Sequence, residues 1–410
     1  MNIVAIGGGE IRNRETLAID TFIRDLSGKQ SPNFLFIPTA SHDASVYCDI
    51  VREVYGRELG CRYDDLKVMD GALTREMISE KIEAADIIYV GGGNTDFMLH
   101  VWKHLEIDKQ LISAGERGAI LGGVSAGAIC WFDQGHSDSE SFSDNPDWNY
   151  TSVKGLGLIP AMGCPHLNRG IRFDSFYNMV SHHHHLGIGL DERAAIWFRD
   201  HHAPIVKTAD SRAGVTQFHV SSNTVVTRRL GDNETLLFSG MGDTAITLRP
   251  AMPSDAALLC SWWADGRIMR HVGFDEGLKT DGKALAERLA AEQGKDSLFI
   301  ISIRGVPCGE CNVRFSGENR CAIGIKICDS DLQGKGFGEK ALRLFLQHLF
   351  SKYPLKEIEI DCLASNTRAI NLYRKVGFTV TKHHGAGWVD PNGRSLGTVD
   401  LVISRAQMYR

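Results

Sequence analysis

A serine flanked by glycines is the first group in this sequence that could do chemistry, in the run Gly123-Val124-Ser125-Ala126-Gly127. The apolar segment Ala119 to Leu121 before it predicts a strand, and Ala126 to Phe132 is compatible with a helix. At such a junction, flanking glycines permit a strained turn that pushes the serine hydroxyl out of the sheet. The backbone N–H of Ala126 can then help to hold an oxyanion. The pattern predicts Ser125 as a nucleophile, with an ordinary tight Gly-Ser turn as the alternative.

A second glycine cluster, Gly91-Gly92-Gly93-Asn94, follows the apolar segment Ile87 to Val90. A turn of this composition exposes backbone N–H groups at the end of a predicted strand. In a parallel sheet, ligands gather at the carboxyl ends of the strands. The cluster is therefore a candidate oxyanion site, and an ordinary strand-to-helix turn is the alternative.

Three motifs of this first half resemble the peptidase E (aspartyl dipeptidase) family, with cyanophycinase as a more distant relative. They are Tyr89-Val90-Gly91-Gly92-Gly93-Asn94-Thr95, Gly123-Val124-Ser125-Ala126-Gly127-Ala128, and Gly155-Leu156-Gly157-Leu158 with Cys164-Pro165-His166. The resemblance covers roughly residues 1–235. It implies a doubly wound, mostly parallel sheet similar to that of class I glutamine amidotransferases. The alternation of short apolar runs with helical stretches predicts the same α/β class.

The resemblance also implies roles for individual residues. Ser125 becomes the nucleophile and His166 the general base, with Gly92 or Gly93 and Ala126 as oxyanion donors. The family's acid lies between the serine and the histidine, where Glu140 fits the spacing best and Asp138 is second. Competing histidines for the role of base are His136, His201 and His202.

The stretch after His166 departs from peptidase E. Leu167-Asn168-Arg169-Gly170-Ile171-Arg172 stands where that family has a Gly-Glu-Thr-Arg-Glu-like segment whose arginine reads the substrate aspartate. Either Arg169 or Arg172 could supply a carboxylate clamp. Arginine on a helix surface is the alternative. Specificity for Asp-Xaa dipeptides is thus an open question.

A third glycine-rich run, Gln333-Gly334-Lys335-Gly336-Phe337-Gly338, lies between the predicted strand Ala322 to Ile327 and a predicted helix from Glu339. Glycines at a helix N-terminus expose N–H groups, and the helix dipole favours an anion such as pyrophosphate there. The spacing fits neither a dinucleotide fingerprint nor a Walker loop. A glycine-rich turn without a ligand is the alternative.

Residues 244–410 resemble the GCN5-related N-acetyltransferases, an α+β family that uses acetyl-CoA. The resemblance rests on Leu248-Arg249-Pro250-Ala251, the run from Gln333 to Gly338, and Asn366 to Phe378. With Trp262-Trp263 and Met269-Arg270-His271-Val272, it extends to the subgroup that acetylates ribosomal-protein N-termini or aminoglycosides.

This resemblance implies transfer of acetyl to an amine. N–H groups of Gly334 to Gly338 would hold the pyrophosphate, and the strand Ile323 to Ile327, including Ile325 and Ile327, would bind the pantetheine arm. Asn366 would contact the cofactor, and Tyr373 could protonate the leaving thiolate, although a core aromatic is the alternative for Tyr373. Base candidates are Glu310 and Glu318, or a water molecule.

Length and composition fit this division into two enzymes. A chain of 410 residues suits two domains, which we place at residues 1–240 and 244–410 with a boundary near residue 241. A net charge of −5 gives no general reason to bind nucleic acid or an anionic membrane. No apolar run is long enough to span a bilayer.

Ten cysteines in a chain without an export signal predict a reduced, cytoplasmic environment. Cys308-Gly309-Glu310-Cys311 is interpreted as part of a β-hairpin, and no metal site is predicted. The expected partners are a small peptide and an amine acceptor, and a homo-oligomer is left open.

The leading hypothesis is therefore a bifunctional enzyme that hydrolyses small peptides and acetylates an amine. In a second hypothesis, the first domain only binds a ligand for the acetyltransferase. In a third, the fusion detoxifies an aminoacyl or peptidyl antibiotic.

Overall fold

The computed structural model describes residues 1–410 except 145, 184–185, 200–202, 222–223, 237, 240–245, 293–294, 304–305, 318 and 409–410. The chain divides into two compact units, Met1–Leu236 and Leu237–Arg410. The expected boundary near residue 241 falls outside the described residues.

The first unit consists of a strand-rich α/β fold. Its strands are β1 (Asn2–Ile6), β2 (Asn33–Ile37), β3 (Arg62–Asp65), β4 (Ile87–Val90), β5 (Ile120–Val124), β6 (Phe132–Ser137), β7 (Thr151–Lys154), β8 (Ile159–Cys164), β9 (Gly187–Leu190), β10 (Ala194–Arg199), β11 (Ile205–Thr208), β12 (Val215–Ser221) and β13 (Thr224–Leu230). Its helices are α1 (Leu17–Leu26), α2 (Ser45–Val51), continued by a π-helix at Arg52–Glu58, α3 (Arg75–Ala84), α4 (Thr95–Leu105), α5 (Ile107–Glu116), α6 (Ala126–Ile129) and α7 (Arg172–His183).

A seven-stranded sheet forms the core of this unit, in the order β11-β10-β1-β5-β4-β2-β3. Strands β1, β5, β4, β2 and β3 are parallel to one another, whereas β10 runs antiparallel to β1 and β11 runs antiparallel to β10. The central strands are almost entirely apolar, as expected for a sheet buried on both faces, and every residue of β4 and β5 is buried. The predicted parallel α/β sheet is confirmed.

A second sheet of six strands, in the order β13-β12-β9-β8-β6-β7, was not expected from the sequence. Its centre is parallel, because β8 pairs in parallel with both β6 and β9. Strands β8 and β9 therefore end at the same edge. This edge is where His166 and Glu192 follow their strands.

The second unit is an α+β fold around one eight-stranded sheet, in the order β14-β15-β16-β17-β18-β19-β21-β20. The strands are β14 (Phe238–Ser239), β15 (Ile246–Pro250), β16 (Leu298–Ile303), β17 (Val306–Phe315), β18 (Arg320–Ile327), β19 (Glu357–Leu363), β20 (Thr379–Val389) and β21 (Ser395–Ser404). The helices are α8 (Ala256–Ala264), α9 (Gly266–Met269), α10 (Gly282–Ala291), α11 (Phe337–Lys352), α12 (Thr367–Val376) and α13 (Arg405–Met408).

Two neighbouring strands of this sheet part midway. Strands β18 and β19 are parallel, and their pairing runs from Arg320↔Glu357 to Ile323↔Ile360. Beyond that point Gly324 to Ile327 stay paired with β17, and Asp361 to Leu363 stay paired with β21. The two strand ends are separated by a gap. The glycine-rich run and α11 begin next to this gap.

Cys308 and Cys311 both lie within β17 and are buried, so the interpretation as part of a hairpin strand is confirmed. Among the described residues, no helix is both long and apolar enough to cross a membrane.

Candidate active sites

Ser125 sits on a sharp turn between β5 and α6. Its φ of 57° and ψ of −114° lie in a region that a residue with a Cβ adopts rarely. The Ser125 N–H donates to the Ile6 carbonyl of β1 (3.0 Å), which fixes the turn against the neighbouring strand. Such backbone strain is typical of functional positions. The geometry is that of a nucleophile elbow.

His166 is the candidate base, and its side chain lies next to the Ser125 hydroxyl. The residue follows β8 with a positive φ of 53°, and its N–H donates to the Gly7 carbonyl (2.9 Å). The Ser125 hydroxyl lies 2.9 Å from His166 Nε2, and Nδ1 lies 3.2 Å from Glu192 Oε1. Because a carboxylate only accepts, Nδ1 carries the proton and Nε2 accepts from the serine. The three side chains form a hydrogen-bonded relay.

Glu192 corrects the predicted third member. Asp138 instead pairs with Arg172, and the Glu140 carboxylate accepts from the Asn149 N–H (3.1 Å). Asp138 follows β6 at the same sheet edge as His166, because β6 and β8 are parallel, but neither acid is hydrogen-bonded to His166 in the described structure. Glu192 comes 26 residues after His166, just beyond β9. An acid after a strand parallel to β8 is a feature that Asp138 and Glu192 share, so this sequence signal alone does not single out Glu192.

The competing histidines do not contact Ser125 in the described structure. His136 is fully buried, with Nε2 2.9 Å from Ser175 Oγ and its ring 4.4 Å from that of Tyr150. Burial, with the nearby Arg172 charge, lowers the pKa of His136 to about 3. His201 and His202 lie outside the described residues.

The environment keeps His166 neutral near pH 7. Burial and the positive charge of Arg172 lower the pKa of His166, and the hydrogen bond from Nδ1 to Glu192 partly offsets this. A neutral imidazole can accept the serine proton.

The expected oxyanion donors surround the serine. A Cβ at Gly92 would stand 3.8 Å from Ser125 Oγ, so this glycine lies next to the hydroxyl. The Gly92 N–H donates to the Tyr47 hydroxyl at 3.3 Å, a long bond. Ala126 is the first residue of α6, whose N–H has no partner within the helix. Gly93 has a φ of +141° and follows directly.

Sequence reasoning missed Gly8, which follows β1 and lies against His166. A Cβ at this position would clash with His166 Nδ1 and Cε1.

Both arginines proposed as a carboxylate clamp already have carboxylate partners within the chain. Arg169 donates to Glu192 Oε1 at 2.6 Å and is largely exposed, whereas Arg172 is buried against Asp138.

The second candidate site is the loop before α11. Gly334 and Gly336 have φ of 78° and 84°, which L side chains rarely adopt, and open space surrounds the position of a Cβ at both. Gln333 Nε2 donates to the Ile327 carbonyl (2.8 Å), and Arg368 donates to Gln333 Oε1 (3.0 Å). The loop is thus tied to β18 and α12. Lys335 and the first turn of α11, Phe337 and Gly338, complete it.

The remaining predicted residues line or flank the parted strands. Ile325 and Ile327 are half-buried on the free end of β18. Tyr373 is buried in α12, and desolvation, with nearby Cys362 and Asp361, raises its pKa. Asn366 caps α12, because its Oδ1 accepts from the Ala369 N–H (3.1 Å). The side-chain oxygen of Asn366 therefore already accepts a hydrogen bond within the protein, as the cap of α12.

Of the two predicted bases, Glu310 is engaged and Glu318 lies outside the described residues. Glu310 Oε1 accepts from Lys326 Nζ (2.7 Å) and Trp263 Nε1 (3.0 Å), and the residue is 2% exposed. The carboxylate oxygen Oε1 of Glu310 is therefore already held by these two donors.

The geometry of the first unit is that of a serine hydrolase built on a parallel sheet, and the second has the parted strands of an acyltransferase. The model of peptidase family S51 matches residues 3–206, and that of the GNAT acetyltransferase domain matches residues 245–379. The chain belongs to peptidase family S51, and its second unit is a GNAT acetyltransferase domain. It is a two-domain hydrolase and acetyltransferase.

Individual relatives match one unit each. An uncharacterized peptidase, YgaJ of Bacillus subtilis, is 32% identical over 221 residues, which are 53% of this chain and 91% of that protein. Aminoglycoside N(6')-acetyltransferase type 1 of Serratia marcescens is 28% identical over 176 residues, 38% of this chain and 87% of that one. A spermidine N-acetyltransferase of Vibrio cholerae, solved with CoA and spermine, has a TM-score of 0.37 and 19% identity, covering 40% and 98%.

Proposed function

We propose that the first unit hydrolyses peptide bonds of small peptides, with Asp-Xaa dipeptides among the substrates to test, and that the second acetylates an amine. The observation that supports the first activity is the unbroken relay from Ser125 Oγ through His166 to Glu192. This relay activates a serine hydroxyl for attack on a carbonyl carbon, a function that a domain which only binds peptide does not require.

In the proposed hydrolysis, His166 Nε2 takes the proton of Ser125 as its oxygen attacks the carbonyl carbon. Glu192 holds the imidazole in the required tautomer and stabilises the imidazolium. The N–H groups of Gly92 or Gly93 and Ala126 hold the oxyanion. His166 then gives the proton to the leaving amine, and water repeats the sequence on the acyl-enzyme.

The second activity needs acetyl-CoA, and the residues of the second unit fit it. Gly334 to Gly338 leave space for a pyrophosphate against the N-terminus of α11, where N–H groups and the helix dipole favour an anion. The half-buried Ile325 and Ile327 offer the free strand edge to a pantetheine arm. The cofactor supplies an acetyl group as a thioester.

Tyr373 has the state required of a proton donor. Its hydroxyl is protonated at neutral pH and is the group proposed to protonate the leaving thiolate, although burial raises the pKa of the phenol and makes it a weaker acid than an exposed tyrosine. Asn366 contributes by fixing the start of α12, the helix that holds Tyr373.

Mass spectrometry of a dipeptide library incubated with the full chain, with and without acetyl-CoA, tests both activities. We expect cleavage in both samples and acetylated products only with acetyl-CoA. Intact dipeptides in both samples would contradict the proposed hydrolysis.

A further inference from the structure

A cavity of about 290 Å³ in the second unit has been given no role so far. It is lined by His271, Val272, Asp361, Cys362, Leu363, His384, Gly387, Trp388, Thr398 and Asp400. The volume is at the lower end of the range for small-molecule sites. The cavity therefore suits a small ligand.

The cavity lies where β19 has parted from β18. Asp361 to Leu363 form its wall on β19, beyond the last pair Ile323↔Ile360. Tyr373 lies near the same wall, since negative charge on Cys362 or Asp361 adds to the burial that raises its pKa. Tyr373 itself is buried and is not among the residues that line the cavity.

The lining carries negative charge and a base. Asp361 and Asp400 stand directly opposite each other on β19 and β21. His384 Nε2 lies 2.7 Å from Asp400 Oδ2. The carboxylate accepts, so His384 Nε2 carries the proton and Nδ1 is the nitrogen that can accept one.

No lysine or arginine lines the cavity in the part of the chain that the structure describes. Burial, with nearby Arg270 and Arg368, lowers the pKa of His271, which keeps this second histidine neutral at pH 7. Trp388 adds an indole, a ring type that attracts cations. The chemistry of the lining thus favours an organic cation.

We propose that this cavity binds the acetyl acceptor as a small amine with at least two cationic nitrogens, that His384 is the base for one nitrogen, and that Asp361 binds another. The inference rests on the acetyl transfer proposed above. The proposal also assigns the general base of the acetyl transfer, a role for which the sequence offered only Glu310, Glu318 or a water molecule.

The proposed step balances. The acceptor ammonium gives one proton to His384 Nδ1, the freed nitrogen pair forms a C–N bond to the acetyl carbon, and the thioester C–S bond breaks. Tyr373 gives its proton to the departing sulfur. The second proton on the product nitrogen is lost to solvent, and solvent returns a proton to Tyr373 as His384 releases its own, leaving an amide and a thiol.

Two probes differ by the presence of a second amino group: 1,4-diaminobutane and n-butylamine. Calorimetry with the full chain, without acetyl-CoA, should show tighter binding of the diamine. Asp361→Asn should weaken binding of the diamine about five-fold, the size of a partly exposed charge contact, and leave that of the monoamine unchanged. Glu359→Gln, two residues earlier on the same strand, is the matched control. Equal binding of the two probes by the wild type would overturn the dicationic acceptor.

The base is tested by acetyl transfer to the diamine. His384→Gln should lower kcat at pH 7 by about 100-fold, with loss diminishing at high pH, where the amine deprotonates unaided. The titratable groups that line the cavity with His384 are Asp361 and Cys362 of β19, Asp400 of β21 and His271, and Lys382 of β20 is the register partner of Asp400. His383→Gln, the adjacent exposed residue whose side chain points to the other face, should change little.

The outcomes separate the two proposals. Equal rates in His384→Gln and His383→Gln, with the wild type active, would overturn the assigned base and leave acetyl transfer standing. A folded wild type that fails to bind acetyl-CoA would overturn the proposed transfer itself, and the acceptor site with it.

Discussion

The two candidate sites are built from different parts of the chain. The hydrolase site consists of side chains held by strained backbone, with Ser125 and His166 both at positive φ and in mutual contact. The acetyltransferase loop consists of backbone, with Gly334 and Gly336 at positive φ and open space around them. The first site is complete within the chain, whereas the second is shaped for a ligand. Substitutions should therefore act through lost chemistry in the first and through lost space and conformation in the second.

The largest expected effect is that of Ser125→Ala. Hydrolysis should fall by about 10⁶-fold, because the nucleophile is lost, while acetyl transfer stays unchanged. His166→Ala should match it, and the double variant should be little worse, since the residues act as a unit. Steady-state kinetics on a cleaved dipeptide measures all three. Retained hydrolysis in Ser125→Ala would rule out the serine mechanism.

Glu192→Gln should lower kcat by about 10⁴-fold, because the amide no longer holds His166 in the tautomer that accepts the serine proton. Glu140→Gln is the matched control, as the same chemical change at an exposed acid away from His166. We expect it to retain nearly full activity. A larger loss in Glu140→Gln than in Glu192→Gln would restore the assignment made from spacing.

Gly336→Val should weaken acetyl-CoA binding by about 10- to 100-fold, since strain of 1–3 kcal/mol is expected for a branched residue at a φ of 84°. Gly393→Val is the control for folding, because Gly393 has a φ of 80° and similarly open surroundings in the turn between β20 and β21. Calorimetry compares the two. Equal affinity in both variants would contradict pyrophosphate binding at this loop.

Lys335→Ala belongs to the same comparison and should reduce affinity for acetyl-CoA only a few-fold. Its ammonium adds a solvent-screened charge to a site made of backbone, worth about 1 kcal/mol at most. A loss as large as that of Gly336→Val would show that the lysine, rather than the backbone, binds the cofactor.

The smallest effect concerns the pH dependence of hydrolysis. Arg169 lowers the pKa of His166, and its guanidinium also occupies Glu192 Oε1. Arg169→Met removes both the charge and the contact with Glu192, so the pKa of His166 should rise. Because the neutral imidazole is the active form, the acid limb of kcat/KM should move to higher pH. Arg212→Met, an exposed arginine paired with Asp210, is the control. A shift to lower pH would contradict the assigned role of His166.

The sequence predicted what depends on local pattern. Apolar runs predicted the parallel sheet, and glycines marked the Ser125 turn and the loop from Gln333 to Gly338. Glu192 was not found, because its contact with His166 depends on β8 and β9 being neighbours in a second sheet. His384 and Asp400 were missed because they meet only in the register of the β20–β21 hairpin, which residue types alone do not fix. Strand neighbours and registers leave no signal within one element.

The central claim is that one chain has two chemically independent sites. The most direct test incubates the same mixture of dipeptides and amines, with acetyl-CoA, with the wild type, Ser125→Ala and Gly336→Val, and analyses the products by mass spectrometry. We predict that Ser125→Ala loses only cleavage and that Gly336→Val, at acetyl-CoA concentrations well below saturation, loses most of the acetylation alone. Loss of both products in either variant, with the protein folded, would contradict the account.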